Sequence, residues 1–154
     1  HAGTFREERA ANLLDGGAPF YDAYETADGE WLSIGSLEPQ FFAELLRLLE
    51  LDPATTPGQG ERERWPEMRE LFTTTFKTKT RDEWAAIFDG TDACVSPVLT
   101  FAEAPEQVHL KERGTLIDIG GVTQHRPAPR FSRTANGTPT APPSTAADAE
   151  SLWR

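Results

Sequence analysis

The stretch Asn12–Phe42, NLLDGGAPFYDAYETADGEWLSIGSLEPQFF, decides how this chain folds. Tyr21 to Thr26 reads as a strand and Trp31 to Gly35 as its return, joined by Ala27-Asp28-Gly29-Glu30. Asp-Gly is the dipeptide that a tight hairpin wants, because both central residues then take positive φ. On the return strand, Leu32 and Ile34 share one face, and Trp31 and Ser33 share the other. Glu38 follows, ahead of Pro39-Gln-Phe-Phe. Pro39 suits the first turn of a helix, where its missing N–H had no partner anyway. Two readings of Glu38 stand together. It complements the positive end of that helix, or it hydrogen-bonds or shuttles a proton at the edge of a cleft. Upstream, Asp15-Gly16-Gly17-Ala18-Pro19 admits two readings as well. It is a plain turn entering the strand, or a place where glycines let the backbone approach a ligand closely.

Working outward, Phe41, Phe42, Leu45, Leu46 and Leu49 recur at helical spacing and predict an amphipathic helix over Pro39–Glu50. Residues 51–60 contain Pro and Gly and read as a loop. Trp65, Met68, Leu71, Phe72 and Phe76 mark a second helix. Thr80-Arg81-Asp82-Glu83 is a capping box that opens a third, with Trp84, Ile87 and Phe88 inward and Asp89-Gly90 as its stop. Ala93 to Leu99 reads as a short apolar strand, and Pro97 points to an edge or a strand end. Thr100 caps a short helix running through Gln107, and Thr115 to Ile119 is a further strand. His1 to Ala11 is helix or connector. From Arg126 onward Pro, Ala, Thr and Ser dominate, which alone reads as extended or disordered chain. The expected fold class is α+β: a small antiparallel sheet with packed helices and extended terminal arms.

The 154 residues carry a formal net charge of −10. That argues against nucleic acid, whose phosphates attract Lys/Arg patches, and against docking on anionic lipid. A phosphate-rich ligand would take most of its phosphate contacts from elsewhere. Arg126, Arg130 and Arg133 form one locally basic strip. Cys94 is the sole cysteine, so an internal disulfide and a Cys-based metal cluster are both excluded. A reducing, cytoplasmic location is expected. No apolar run reaches membrane-spanning length, no signal peptide is visible, and Ser-Leu-Trp-Arg is not a peroxisomal address. The chain opens His-Ala-Gly without methionine, so a longer parent protein is expected.

The residues offer no self-contained catalytic motif. His1, His109 and His125 are not paired at metal-ligand spacing, and no metal is expected. There is no G-x-G-x-x-G fingerprint, no G-x-S-x-G elbow, and no calcium loop at Asp89-Gly90-Thr91-Asp92. Trp65, Trp84 and the phenylalanines sit at core spacing.

Several segments in series nevertheless carry a resemblance. NLLDGGAPFYDAYETADGEW, SLEPQFFAELL, RWPEMRELF, DEWAAIFDGTDACVSPVLTFAEA and RPAPRFSRT, from about Asn12 to Thr134, closely resemble the α-methylacyl-CoA racemases of the family III CoA-transferase superfamily. The resemblance implies a longer enzyme with a large Rossmann-like α/β domain and the small α+β domain seen here. Two subunits would interlock, with the active site between the large domain of one and the small domain of the other. Residues 1–18 would be a connector, 19–122 the small domain, and 123–154 an arm returning to the large domain. The implied reaction inverts the carbon next to a thioester, in 2-methylacyl-CoA substrates, by α-proton removal through an enolate whose oxygen needs donors. The resemblance implies no separate cofactor, coenzyme A being part of the substrate. The main proton-transfer pair, a histidine and an aspartate, would lie on the large domain. Within this chain it implies a supporting proton-network role for Glu38, and an acyl or substrate wall from Tyr21, Leu37, Leu14, Gly16 and Gly17. A true CoA-transferase of the superfamily is the alternative, although transferases often carry a longer glycine run than Gly16-Gly17. A non-catalytic dimerisation module is the other.

Overall fold

The computed structural model describes residues 5–142, which divide into two units between Val98 and Leu99. In the first, β1 (Tyr21–Glu25) and β2 (Trp31–Gly35) pair antiparallel, with Tyr24 opposite Leu32 and Asp22 opposite Ile34. β3 (Val95–Pro97) pairs with the other side of β2, in the order β1-β2-β3. An edge is where a proline costs the sheet no ladder bond. The strand is shorter than the apolar stretch that predicts it, because Cys94 takes φ 55° and leaves the extended region.

Three helices cover one sheet face: α1 (Pro39–Leu48), α2 (Trp65–Phe76) and α3 (Arg81–Phe88). A turn of 3₁₀ helix, Arg62–Arg64, leads into α2. The core is continuous from Phe20, Tyr24, Leu32 and Ile34 on the sheet side to Phe42, Leu45, Leu46, Met68, Phe72, Phe76, Trp84 and Phe88 on the helices. Phe20 meets Phe42 and Trp65 edge-on at 5.7 Å, and Phe76 meets Trp84 at 5.5 Å. Such pairs add roughly 0.5–1.5 kcal/mol each beyond the area they bury. The predicted inner faces match this core except at their margins, where Phe41, Leu71 and Ile87 are half-buried.

The hairpin turn differs from the tight Asp-Gly form. Gly29 sits at φ +83°, but Asp28 is not left-handed. The Gly29 N–H donates to the Thr26 carbonyl (3.1 Å), and the Thr26 N–H donates to the Glu30 carbonyl (2.8 Å). The loop is therefore three residues, a turn closed by one left-handed glycine. Asp28 instead accepts from Thr26 Oγ1 (2.5 Å) and from the Arg81 amide (3.2 Å), tying the hairpin tip to the start of α3. The Thr80–Glu83 capping box forms in both directions, as its sequence predicts.

In the second unit, Thr100 and Glu103 bond reciprocally ahead of a 3₁₀ turn, Ala104–Glu106, and the Gln107 side chain caps α4 (Val108–Glu112). β4 (Leu116–Ile119) pairs antiparallel with β5 (Val122–His125). The return strand has no apolar alternation, which is why its sequence does not announce it. Both its faces are exposed. Residues 5–11 form bends and turns rather than a helix, and 126–142 contain no helix or strand. The ends of both expected arms, 1–4 and 143–154, lie outside the described residues.

Candidate functional site

The Gly16-Gly17 turn is built by local polar chemistry. Asn12 Nδ2 donates to Asp15 Oδ2 (2.8 Å), and the Asn12 and Gly17 amides donate to Asp15 Oδ1 (2.8 and 3.2 Å). These bonds, the Asn12 side chain first, hold the Asp15 carboxyl below its ordinary range. Gly16 is left-handed at φ +90°. Gly17 is required for a different reason: a Cβ there would collide with the Asn12 carbonyl oxygen. The turn is then clamped from α2. The Arg69 guanidinium pairs with Asp22 and donates to the carbonyls of Gly16 (2.7 Å) and Gly17 (3.2 Å). Arg69 lies in the apolar stripe of its helix, between Trp65 and Phe72. A charged residue on a core-facing stripe is the one signal by which sequence could have found it.

A concavity of about 510 Å³ opens beside this turn, on the sheet face away from the helices, and is lined by Asp15, Gly16, Tyr21, Ser33, Gly35 and Cys94 among others. Tyr21 lies opposite Gly35 in the ladder. A Cβ at Gly35 would meet the Tyr21 ring at 3.7 Å, an ordinary packing contact, so the two residues are neighbours on this wall. Tyr21 is 36% exposed. Burial pushes the Cys94 thiol up, and the charges of Glu38 and then Asp92 push it further. Glu38 is not itself a lining residue, but it follows the lining residue Gly35 in the chain.

Glu38 is the N-cap residue of α1, in extended conformation (φ −78°, ψ 144°), and its side chain makes no capping hydrogen bond. Only its carbonyl serves the helix, accepting from the Phe42 N–H (3.0 Å). The carboxylate is exposed and, among the described residues, has no hydrogen-bond or ion-pair partner. The segment before it is held firmly. Ser36 is fully buried; its hydroxyl donates to the Ala93 carbonyl (2.5 Å) and its amide to the Phe20 carbonyl (3.0 Å). The Leu37 amide turns back to the Gly35 carbonyl (2.9 Å). Gln59 Nε2 donates to the carbonyls of Ser36 (2.9 Å) and Leu37 (3.0 Å).

The structure thus brings Gly16 and Tyr21 to one concavity, with Glu38 following closely on its Gly35 wall. Leu37 is half-buried and packs against the core. Leu14 is 60% exposed and lines a separate, more apolar hollow with Phe5, Leu13 and Arg62. Gly17 lines a third hollow with Arg6, Arg62, Trp65 and Arg69. Sequence reasoning did not single out Arg69, Ser36 or Gln59, and it noted Cys94 only as the sole cysteine, not as part of this wall. Gln59 has no periodic context that could reveal it.

No helix among the described residues is long and apolar enough to cross a membrane. The chain is 50% identical over 133 residues to the alpha-methylacyl-CoA racemase of Mus musculus, covering 86% of this chain and 35% of that one. It is 52% identical over 109 residues to the alpha-methylacyl-CoA racemase of Homo sapiens, covering 71% and 28%. It spans about a third of the length of these relatives. A crystal structure of Rv3272 from M. tuberculosis matches it with TM-score 0.66 at 21% identity, over 87% of this chain and 38% of that chain, and so shares its fold. The family model of CoA-transferase family III matches residues 1–149. With that match over nearly the whole sequence, and half of its residues shared with the two racemases over most of its length, the chain belongs to CoA-transferase family III.

Proposed function

We propose that this chain is part of an α-methylacyl-CoA racemase. Such an enzyme epimerises 2-methylacyl-CoA thioesters by removing the α-proton, passing through an enolate, and returning a proton to the opposite face. Identity of 50% and 52% to the two racemases is the observation that carries this reading. In it, residues 19–122 are the small domain, 1–18 the connector, and 123–154 the arm towards a large domain that holds the main proton-transfer pair. This chain supplies one wall of the site. Tyr21, Leu37 and Leu14 line the acyl pocket, the Gly16-Gly17 turn contacts the substrate, and Glu38 joins the proton network. The substrate brings its own coenzyme A, and no other cofactor takes part. The working enzyme is an interlocked homodimer, and the lone Cys94 suits a reducing compartment such as the cytoplasm.

Glu38 fits this role because its carboxylate is not consumed by its own helix. The test uses the intact enzyme with a 2-methylacyl-CoA in D2O, following α-deuterium incorporation. Glu38→Gln is expected to lower the exchange rate about 100-fold, the lower end of the range for a group in proton transfer. Unchanged exchange would remove Glu38 from the network.

The transferase reading is favoured by one observation, 27% identity over 140 residues to the succinyl-CoA–D-citramalate CoA-transferase of Chloroflexus aurantiacus. That is about half the identity to the racemases, and CoA transfer to an acceptor acid without α-exchange would be its signature.

A further inference from the structure

We infer that Gln59 is the positioning residue for Glu38, an inference that rests on the proposed role of that glutamate. The ordinary device that fixes a carboxylate at a helix entrance, a bond to the N2 or N3 amide, is absent here. Where the carboxylate stands is therefore set by the backbone of residues 36–38. That backbone offers two consecutive carbonyls, and the Gln59 amide nitrogen donates to both, at 2.9 and 3.0 Å. A primary amide has two N–H donors, so one side chain satisfies both carbonyls. A carboxylate at this position would set acceptor against acceptor, and asparagine would be one methylene short.

Gln59 is itself anchored. Its main-chain carbonyl accepts from the Trp65 indole N–H (3.0 Å). Trp65 is buried edge-on against Phe20, whose carbonyl in turn accepts from the Ser36 amide. Phe20, Ser36, Gln59 and Trp65 thus close a ring of contacts around the segment that carries Glu38. The loop supplying Gln59 is seated by the fully buried Pro57 and by the Glu61 carboxylate on the Gly58 amide (2.7 Å). Without the two amide bonds, residues 36–38 keep the Ser36 and Leu37 amide contacts and the Glu38 carbonyl bond to the Phe42 N–H, but the Ser36 and Leu37 carbonyls ahead of Glu38 lose the donor that fixes them.

The test is a double-mutant cycle in the intact enzyme, with α-deuterium incorporation from D2O into a 2-methylacyl-CoA as the readout. Gln59→Ala is expected to lower kcat about tenfold, the order of loss that a small misplacement of a reacting group causes. KM should move by less than about twofold, because uniform substrate binding is untouched. In the Glu38→Gln background the same substitution should cost nothing further, since Gln59 acts through Glu38. Gln59→Met keeps the length of the side chain and removes only the donors; it should repeat both results if Gln59→Ala folds poorly. Equal losses in the two backgrounds, or no loss in the first, would overturn the positioning role and leave Glu38 in place. A Glu38→Gln enzyme with normal exchange would instead overturn the reading on which the inference rests.

Discussion

Glu50 is the residue whose local chemistry is least satisfied. α1 ends in a Schellman motif: the Leu51 amide donates to the Leu46 carbonyl (3.0 Å), and the Glu50 amide to the Arg47 carbonyl (3.2 Å). The motif demands a left-handed residue, and Glu50 occupies it at φ 57°. A side chain there costs about 1–2 kcal/mol, whereas glycine costs only its greater unfolded-state freedom, about 0.5–1 kcal/mol. The carboxylate also faces the negative end of the helix. Glu50→Gly should therefore stabilise the fold by about 0.5–1 kcal/mol, read as a higher urea midpoint at unchanged slope. A lower midpoint would show that Glu50 makes a compensating contact. Glu50 and Glu38 sit at opposite ends of one helix and are both poorly used by it, but for different reasons. Glu50 has the wrong backbone for its position, whereas Glu38 has an N-cap position and leaves its side chain idle.

At the scale of elements, most of the first unit was legible because its signals are local. Alternation marked Leu32 and Ile34, helical spacing marked the cores of α1 and α2, and Thr80-x-x-Glu83 fixed the start of α3 within a residue. The tip of the hairpin was not legible in detail. Asp-Gly specifies a turn, but its loop length is set by what Asp28 can bond, and its partner Arg81 is remote in sequence. That bond is testable. The Asp28 carboxyl is held below its ordinary 3.8, first by the Thr26 hydroxyl, against an opposing desolvation cost, with the Arg81 amide a smaller contributor. Between the folded and unfolded values the unfolded chain binds more protons, so stability rises with pH. The contribution is complete above the ordinary aspartate range and is lost as pH falls through the lower folded value. Urea midpoints at about pH 6, 4 and 3 should place Asp28→Asn furthest below wild type at the highest pH and closest at the lowest. A constant gap would assign the effect to geometry rather than charge. The candidate site was legible only where glycine or a helix entrance punctuates the chain. The clamps that shape it, Arg69 on Gly16-Gly17 and Gln59 on Ser36-Leu37, join residues more than 20 positions apart and leave no periodic trace.

For the whole molecule, the proposed reaction places two demands on this chain that its own residues do not meet. Coenzyme A is rich in phosphate, and a chain of net charge −10 repels it at long range. The acid–base work needs two groups on opposite faces of the α-carbon, and the described concavity is lined by Asp15, Tyr21 and a Cys94 thiol pushed above its usual range, not by Glu38. Under the proposed reading, phosphate recognition and the main proton-transfer pair both lie in the large domain. The isolated chain, incubated with a 2-methylacyl-CoA in D2O, should then incorporate no α-deuterium above buffer. Equilibrium dialysis should find no retained coenzyme A at low ionic strength, where repulsion is greatest. Supplying the large domain should restore exchange, at a lower rate when Glu38 is replaced by glutamine. Exchange by the chain alone that disappears in Glu38→Gln would mean that a complete acid–base pair lies within these 154 residues, and the split-site reading would fail.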